Sequence, residues 1–431
     1  MSGAYPTVRL RHLAQFNPAV PEAVASDPDN EWPLLPMEQI GNFAQPTVTQ
    51  QRSYKTLSTG YSYLEQTDVA YAKVTPCFEN GKGLIGADLD GPVFATTEVT
   101  VLRPNPGMSQ RFLAYIMQSE DFRTAAIASM TGAGGLRRVS ERDMKNFRVP
   151  APDLSVQSEI ADYLDHETAE IDSLIRHLNQ MKDLLSERTN TIWTERARQV
   201  ACGFSSIKVR YLVSSLVDGP FGSALTSAHY SDEGAPVVRL GNIGRIDFRL
   251  EPRAYIPSDY AMTLKSHEVR PGDVVIAGLG DATHPLGRSA VVPEEFGHGI
   301  VKADCYRARP NSRVTPEFLA WSLSSEISAD SFKEESRGST RARLNLAIVL
   351  RTAIAVPDLA TQRAITDEFA QTRYQSKLAH QSLESAVRLA RERRAALITA
   401  AVTGQIDVTA RNKPVAEQLE DDIAQGLHRE N

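Results

Sequence analysis

The chain has 431 residues, 42% hydrophobic and 23% charged, a composition typical of a globular protein with roughly two to four domains. No stretch approaches about 18 uninterrupted apolar residues, and no basic segment followed by an apolar one opens the chain, so we expect a cytoplasmic protein without a membrane anchor. The net charge of −6 argues against indiscriminate binding of polyanions.

The cysteine pattern excludes two further classes of protein. Cys77, Cys202 and Cys305 are isolated from one another, which fits neither a disulfide framework nor a C-x-x-C metal site. We therefore interpret all three as reduced thiols in the protein core.

The first predicted unit, residues 8–150, contains short strands and ends in a basic, glycine-rich segment. That segment, Gly132–Arg138, places Arg137 beside Arg138. Glycine lets the backbone approach a phosphate chain closely, and arginine offers a planar fork suited to phosphates and guanine edges. The alternative is a solvated loop ahead of the next helix.

A long helix is predicted next, because Gln157–Val200 contains neither Gly nor Pro. A leucine or isoleucine recurs there every seven residues, at Leu164, Ile171, Leu178, Leu185 and Ile192, with Leu174 and Met181 assigned to the intervening seam positions. A sustained heptad repeat of this kind predicts a coiled coil.

The second half of the chain repeats the first. Pro152–Asp162 returns as Pro357–Asp367, a shift of 205 residues (357 − 152). The basic segment also recurs, since Arg337–Arg343, which includes Arg341, occupies the position of Gly132–Arg138. A repeat of about 200 residues is far longer than a solenoid repeat, so it indicates a duplicated domain.

Residues 205–355 show the local patterns of a mixed unit. Short β-type runs occur at 236–240, 273–277 and 289–292, and an amphipathic helix is predicted over 316–328. The run 68–72 lies opposite 273–277 at the same shift, so both units are predicted to be α+β with a sheet and few helices.

The second long helix, residues 362–403, is predicted to pair with the first. Its corresponding seam positions are Phe369, Leu383, Ala390 and Leu397, with Ala379 and Ala386 between them. Residues 157–200 hold nine acids and five bases (net −4), whereas 362–403 hold four acids and seven bases (net +3). Opposite charges favour pairing of the two helices over self-pairing. The alternative is that each helix packs on its own domain.

These elements predict an α+β protein with two tandem mixed α/β units separated by two long helices in an antiparallel coiled coil. The rod would be about 60 Å long, with one unit at each end and an approximate two-fold axis. The predicted segments are a first unit at 1–151, a helix region at 152–203, a second unit at 204–355, a second helix region at 356–408 and a polar, disordered tail at 409–431.

The motifs of the common catalytic classes do not occur. The sequence has no G-x-x-x-x-G-K-[ST] phosphate loop, no [DN]-P-P-[YF] methyltransferase box, no G-x-S-x-G elbow and no H-E-x-x-H pair. Its histidines are scattered, which favours loop or surface positions over a metal site. We expect a non-catalytic protein without a bound metal or cofactor.

Several strings resemble one known family. Val149–Gln157 and Glu392–Asp407 are similar to the central and C-terminal repeat regions of the specificity subunit of type I restriction-modification enzymes. Asp218–Ser223 and the following Val237–Ile243 resemble the start of that family's target recognition domains. The resemblance covers nearly the whole chain.

The resemblance implies that each unit reads one half of a split target in double-stranded DNA. It also implies that the helices set the gap between the halves and dock two adenine-N6 methyltransferase subunits, with a restriction (translocase and nuclease) subunit left open. S-adenosylmethionine, ATP and magnesium are then expected in those partner subunits and not in this chain.

Two sets of candidate site residues follow. For DNA contact they are Lys73, Arg137, Arg138, Ser223, Arg239, Arg337, Arg341 and Arg343. For the partner-binding helices they are Leu164, Ile171, Leu178, Leu185, Ile192, Leu383 and Leu397.

Two departures from the family pattern and two alternatives stay open. The first helix ends in a different string, Ile192–Gly203, and the first unit opens with Phe16–Pro18 where the second has Gly219–Ser223. The alternatives are a scaffold that binds only protein and a self-contained enzyme of a class without recognisable motifs.

Overall fold

The computed structural model of the chain describes residues 5–133, 135–281, 284–335 and 343–408. The chain divides into two compact units, one made of residues up to 179 together with those from 384 onward, the other of residues 180–383. The predicted tail at 409–431 lies outside the described residues.

The first unit contains twelve short strands among its described residues. They are β1 (Thr7–Arg9), β2 (Ala14–Phe16), β3 (Glu31–Leu35), β4 (Gln50–Ser53), β5 (Ser62–Leu64), β6 (Val69–Ala72), β7 (Gly83–Ile85), β8 (Val93–Ala95), β9 (Val99–Pro104), β10 (Thr131–Ala133), β11 (Leu136–Arg138) and β12 (Arg148–Pro150). Its short helices are α1 (Glu22–Ala25), α2 (Tyr54–Leu57), α3 (Gln110–Gln118), α4 (Glu120–Ala128) and α5 (Glu141–Asn146).

These strands form two four-stranded sheets, with orders β2-β9-β6-β7 and β4-β3-β8-β5, and two small pairs, β1-β12 and the hairpin β10-β11. All four residues of β6 are buried. Successive side chains of a strand point to opposite faces, so Val69 and Tyr71 enter the core beneath α3 while Ala70 enters the core between the sheets. The apolar residues of the β-type run predicted at 68–72, which form β6, are thus explained by burial on both faces.

The second unit repeats this plan. Its strands are β13 (Ser206–Lys208), β14 (Val213–Val217), β15 (Ala235–Val238), β16 (Tyr255–Ile256), β17 (Glu268–Val269), β18 (Val274–Ala277), β19 (Ser289–Val291), β20 (Gly299–Val301), β21 (Cys305–Pro310) and β22 (Ala353–Ala355). Its short helices are α7 (Ser258–Thr263), α8 (Pro316–Leu323), α9 (Glu326–Glu335) and α10 (Leu346–Arg351).

The sheet orders β14-β21-β18-β19 and β16-β15-β20-β17 and the pair β13-β22 match those of the first unit strand for strand. The predicted fold class, two sheet-containing α/β units with two long helices, is therefore confirmed. The helix predicted over 316–328 is in fact two helices, α8 and α9, because the Ser325 hydroxyl accepts a hydrogen bond from the Ser328 amide and starts a new helix. Ser119 does the same between α3 and α4.

The long helices are α6 (Leu154–Gly203, 50 residues) and α11 (Leu359–Thr403, 45 residues). Each unit contains a part of both. In the first unit, Leu164 of α6 and Ile398 of α11 share the core with the sheet and α3. In the second unit, Trp193 of α6 and Phe369 of α11 pack in the core with ring centroids 4.9 Å apart and ring planes tilted by 45°. The helices therefore pair with each other and also pack on the globular folds.

The pairing in the second unit is antiparallel. Ser186 contacts His380 at 3.2 Å, Thr189 contacts Ser376 at 3.1 Å and Arg196 contacts Glu368 at 3.2 Å. The residue numbers thus rise along α6 while those of their partners fall along α11. In the first unit Asp172 of α6 pairs with Arg394 of α11 at 3.0 Å. The predicted direction of the helices is confirmed.

The predicted seam needs a correction in its register. Leu174, Met181 and Ile192 are exposed by 50%, 54% and 40%, whereas Ile175 and Thr189 are half-buried and Trp193 is buried. The intervening seam position thus lies four residues after each of Leu164, Ile171, Leu178 and Leu185, not three. On the second helix Phe369 and Ala390 are buried and Ala379, Leu383, Ala386 and Leu397 half-buried, as predicted.

Buried glutamines fix the start of each long helix. The Gln157 side chain accepts a hydrogen bond from the Ser109 amide at 2.8 Å and donates to the carbonyls of Pro152 and Gly107. Gln362 makes the equivalent contacts with Thr315, Pro357 and Arg313. In each repeat, the glutamine three residues after the Pro-Asp-Leu string therefore ties the long helix to the loop that precedes α3 or α8.

The cysteine prediction is wrong at two positions. Cys305 is buried, but Cys77 is only half-buried and Cys202, near the end of α6, is exposed. Among the described residues, no helix is long and apolar enough to cross a membrane, and no cluster of His, Cys, Asp and Glu could hold a metal ion.

Candidate nucleic-acid interface

The basic segment of the first unit forms an exposed hairpin. Every described residue of β10 and β11 is exposed to solvent, including Arg137 and Arg138. Two hydrogen bonds anchor the hairpin at its base. The Arg137 amide donates to the Thr75 hydroxyl, and the Thr75 amide donates to the Arg137 carbonyl, both at 2.9 Å. The Val139 amide donates to the Lys73 carbonyl at 2.8 Å. The structure thus brings together the predicted Lys73, Arg137 and Arg138.

Carboxylates orient both arginines. Arg138 donates two hydrogen bonds to Glu98, at 2.9 and 2.6 Å, and Arg137 donates to Glu79 at 3.0 Å. The hydrogen bond from Arg138 lowers the pKa of Glu98 below its ordinary value. Since both arginine side chains are about half exposed, 48% and 50%, they are positioned in advance yet open to an anion from solvent.

The second unit places Arg343 in the same way. Arg343 forms an ion pair with Asp304 at 2.6 Å, and its backbone forms an isolated β-bridge with Leu279. In the first unit, Arg138 likewise forms an ion pair with Glu98 and a β-bridge with Val74. The arginines and the bridged residues are 205 positions apart, and the acids, each directly ahead of β9 or β21, are 206 apart. Arg337 and Arg341 lie outside the described residues.

Ser223 lies near this ion pair in the second unit. It is exposed in a short turn that starts at Gly222, beside Phe221, whose ring lies 5.8 Å from the Arg343 guanidinium. Asp218 holds the start of the loop, accepting hydrogen bonds from the Gly219 and Asp304 amides. Burial raises the pKa of Asp218.

Gly219 explains part of the Asp-Gly-Pro-Phe-Gly-Ser string. A Cβ atom on Gly219 would lie 2.0 Å from the carbonyl carbon of Lys302, so only glycine fits against that backbone. The requirement is local to the second unit.

Arg239 is half-buried and already has a backbone partner. It donates to the Pro252 carbonyl at 2.9 Å and lines a cavity of about 450 Å³ together with Lys302 and Asp304. The cavity therefore adjoins the Arg343 ion pair, and Lys302 is a cation that sequence reasoning missed. Glu79, Glu98 and Asp304 were also missed. The one available signal was the recurrence of an acid just ahead of β9 and β21.

The candidate partner-binding residues differ in their accessibility. Leu164 and Ile171 are buried, Leu178, Leu185, Leu383 and Leu397 are half-buried, and Ile192 is exposed. Buried seam residues stabilise the helix pair and are not open to another protein. The exposed large apolar residues of the helices include Leu174, Met181, Leu184, Ile192, Leu378 and Leu389.

Parts of the sequence are similar to those of known proteins. Residues 81–181 match the family model described as the type I restriction modification DNA specificity domain. The chain is 32% identical to the type I restriction enzyme EcoAI specificity subunit of Escherichia coli over 154 residues, which is 35% of this chain and 26% of that protein. It is 27% identical to the EcoEI specificity subunit of the same species over 43% of this chain and 32% of that protein. The matches thus span about a third or less of these relatives.

Two solved structures share the fold along the chain. One comes from a study of complex assembly and conformational transition of the type I R-M system, with a TM-score of 0.75, 18% identity and coverage of 94% of this chain and 98% of that one. The other is the HsdS subunit from Thermoanaerobacter tengcongensis, with a TM-score of 0.52, 17% identity and coverage of 93% and 97%. At these identities the likeness shows the fold.

The fold and the repeated arginine–carboxylate pairs define a class of duplicated proteins with two α/β units and two long helices. The predicted resemblance to type I restriction-modification specificity subunits is confirmed by the sequence matches, and residues 81–181 match the model of that family's DNA specificity domain.

Proposed function

We propose that this chain is the specificity subunit of a type I restriction-modification complex and reads a split, two-part DNA target. The observation that supports this most is the same exposed arginine, held by an acid at the same place, in both units: Arg138 with Glu98 and Arg343 with Asp304. A duplicated, pre-oriented cation suits a ligand that presents two similar anionic surfaces, as the two half-sites of a DNA duplex do.

The contact made by these arginines is proposed to be with backbone phosphates. Each guanidinium is held by one carboxylate on an exposed segment, a setting in which phosphate oxygens can replace the carboxylate. Lys73, Arg137, Lys302 and Arg239 would extend the positive surface around each pair. Phosphate contacts supply affinity and position, and they leave base reading to other residues of each unit.

The chain would bring no chemistry of its own. We propose that two adenine-N6 methyltransferase subunits dock on the long helices, through the exposed apolar residues Leu174, Met181, Leu184 and Leu389. S-adenosylmethionine, and ATP with magnesium where a restriction subunit is present, would belong to these partners.

A genome-wide map of N6-methyladenine, with and without the gene for this chain, tests the proposal. We expect one bipartite motif to lose methylation completely when the chain is absent and to regain it on complementation. An unchanged map would favour a scaffold that binds only protein. Methylation or cleavage by the purified chain alone would instead favour a self-contained enzyme.

A further inference from the structure

A second positively charged site lies in the first unit, next to the exposed hairpin but made of other residues. It is a cavity of about 490 Å³ where the loops at Asn42–Ala44 and Gly81 face the paired helices. Four arginines and one acid line it: Arg123, Arg176, Arg391, Arg394 and Asp172. We propose that this cavity binds a phosphate group.

The charges of the cavity are only partly balanced by the protein. Arg394 pairs with Asp172 at 3.0 Å and donates to the Gln118 side chain at 3.1 Å. Arg123 donates a hydrogen bond to the Glu79 carbonyl at 2.7 Å. Burial lowers the pKa of Arg123, and the charge of Glu120 acts in the opposite direction. Arg176 and Arg391 are exposed, and neither forms a hydrogen bond or ion pair with any residue that the structure describes. Two guanidinium groups thus face the cavity without a counter-ion.

The corresponding cavity in the second unit holds a smaller excess of positive charge. This cavity, about 630 Å³, is lined by Thr189, Asp247, Arg373, Lys377 and His380 among others, and Asp247 forms an ion pair with Arg373 inside it. One acid therefore balances one of the two permanent cations of that cavity, which leaves an excess of one positive charge (2 − 1), whereas four arginines and one acid leave an excess of three in the first cavity (4 − 1).

The two cavities differ at one equivalent position. Phe43 and Ile246 correspond, because both have a positive φ, 55° and 75°, and both donate from the amide to the carbonyl at the start of a strand, Gly83 and Ser289. The next residue is Ala44 in the first unit and Asp247 in the second, and each lines its cavity. The first cavity therefore lacks a carboxylate at this position, and its own acid, Asp172, is paired with Arg394.

A phosphate suits the two unpaired guanidinium groups of Arg176 and Arg391 better than an acidic protein segment does. The guanidinium fork matches phosphate oxygens, and several forks can share one phosphate. The cavity also continues from the hairpin, since Glu79 accepts from Arg137 through its carboxylate and from Arg123 through its carbonyl. The phosphate could belong to a DNA backbone, a source that rests on the proposed function, or to free phosphate.

Two changes to the full-length chain test the site. Ala44→Asp supplies the carboxylate of the second unit, and Arg176→Ala with Arg391→Ala removes the two unpaired cations. The matched control is Arg188→Ala with Arg393→Ala, which removes two exposed arginines of the same helices outside the cavity. Inorganic phosphate is titrated against each protein at constant ionic strength, with unfolding temperature as the readout.

Phosphate is expected to stabilise the unchanged chain and the control, and to bind both cavity variants at least about tenfold more weakly, since each loses or blocks a charge-assisted hydrogen bond. Unfolding without phosphate, compared across the proteins, shows that the variants are folded. If phosphate does not stabilise the unchanged chain, or stabilises all four proteins alike, the proposal is wrong.

DNA binding over a range of salt then separates the two sources. A salt slope lowered by about one in both cavity variants, and not in the control, assigns the phosphate to the DNA backbone. An unchanged slope with lost phosphate binding assigns it to free phosphate. Preserved phosphate binding with weakened methyltransferase docking would overturn the proposal in favour of an acidic protein segment. None of these outcomes depends on which DNA sequence is read, which the methylation map tests separately.

Discussion

Arg138 and Arg343 are each held by an acid, so DNA that binds as proposed would have to displace a carboxylate to reach them. Exposed ion pairs of this kind contribute little to folding, because water and salt screen the two charges. Their main effect is to hold the guanidinium in place and to compete with phosphate.

Removing the competing acid should therefore strengthen DNA binding. We expect Glu98→Gln to raise the affinity of the assembled complex for all duplexes alike and to steepen the salt slope by about one, whereas Arg138→Ala lowers both. Titration of matched and half-mismatched duplexes at several salt concentrations measures this. Equal affinities for Glu98→Gln and the unchanged protein would mean that Arg138 does not meet DNA.

The same pair gives a pH dependence. The pKa of Glu98 is lowered in the folded chain, so the pair's small contribution to stability is complete at neutral pH and is lost as the pH falls through that lowered pKa. The stability difference between the unchanged chain and Glu98→Gln should thus disappear in acid. Urea unfolding at neutral and acidic pH measures it, and a difference that grows in acid would contradict the assignment.

The cysteines should differ sharply in reactivity. Cys202 is exposed, whereas Cys305 is buried and its pKa is raised by burial, so its reactive thiolate is scarce at neutral pH. We expect a thiol reagent to label Cys202 within minutes and Cys305 only after denaturant is added. Mass spectrometry of the labelled peptides identifies the sites, and fast labelling of Cys305 in the native chain would contradict its burial.

The sequence could show which arginines recur in the two units but not what holds them. Arg138 and Arg343 were found by recurrence, because a shift of 205 aligns them. Glu98 is 40 residues before Arg138, and Asp304 is 39 before Arg343, so their pairing depends on strands that the sequence alone does not bring together. Arg123 was missed for the same reason, since it faces the cavity only after α4 packs beside Gly81.

At the scale of elements, the glutamines at the helix starts should be critical for stability. Gln157→Leu leaves the Ser109 amide and the carbonyls of Gly107 and Pro152 without their partner, and Gln362→Leu does the same in the second unit. We expect each change to lower the free energy of unfolding of its unit by about 3 kcal/mol. Chemical denaturation of the full chain measures the loss.

Gln375→Leu is the matched control, because Gln375 is an exposed residue of α11. It should change stability by less than about 0.5 kcal/mol. A loss as large as that of Gln362→Leu would show that the amide network is not the cause.

The long helices show what periodicity can and cannot predict. Their existence and one seam position in each heptad, except at Ile192, followed from the repeat of seven. The second seam position did not, because Leu174 and Met181 are apolar yet exposed, while Thr189 and Lys182 are half-buried. Polar residues at the seam pair with polar partners, as Thr189 does with Ser376, and a hydrophobic pattern does not reveal such pairs.

At the scale of the whole molecule, helix length should set the gap in the DNA target. We predict that one heptad added to each helix, after Asn179 and before Glu384, lengthens the unread spacer by about three base pairs, since seven residues add about 10 Å. The two half-sequences should stay unchanged. Methylation mapping of the strain that carries the insertion measures the spacer.

Insertion of a single heptad, in α6 alone, is the control. It displaces the antiparallel pairs beyond the insertion, such as Ser186 with His380, so it should reduce stability and methylation without producing a new spacer. Altered half-sequences in the double insertion would mean that the helices take part in base reading. The approximate two-fold arrangement of the units stays a prediction that this experiment probes.

The division of the chain has a consequence for its synthesis on the ribosome. The core of the first unit contains both Leu10 and Val402, whereas the core of the second unit lies wholly within residues 180–383. A nascent chain that has just emerged as far as residue 383 can therefore complete its second unit while the first still lacks Ile398, Ala401 and Val402. During that interval Ile160 and Leu164 are not yet packed against the C-terminal helix. A chaperone or a protease would therefore find the N-terminal half of the chain less protected than the second unit.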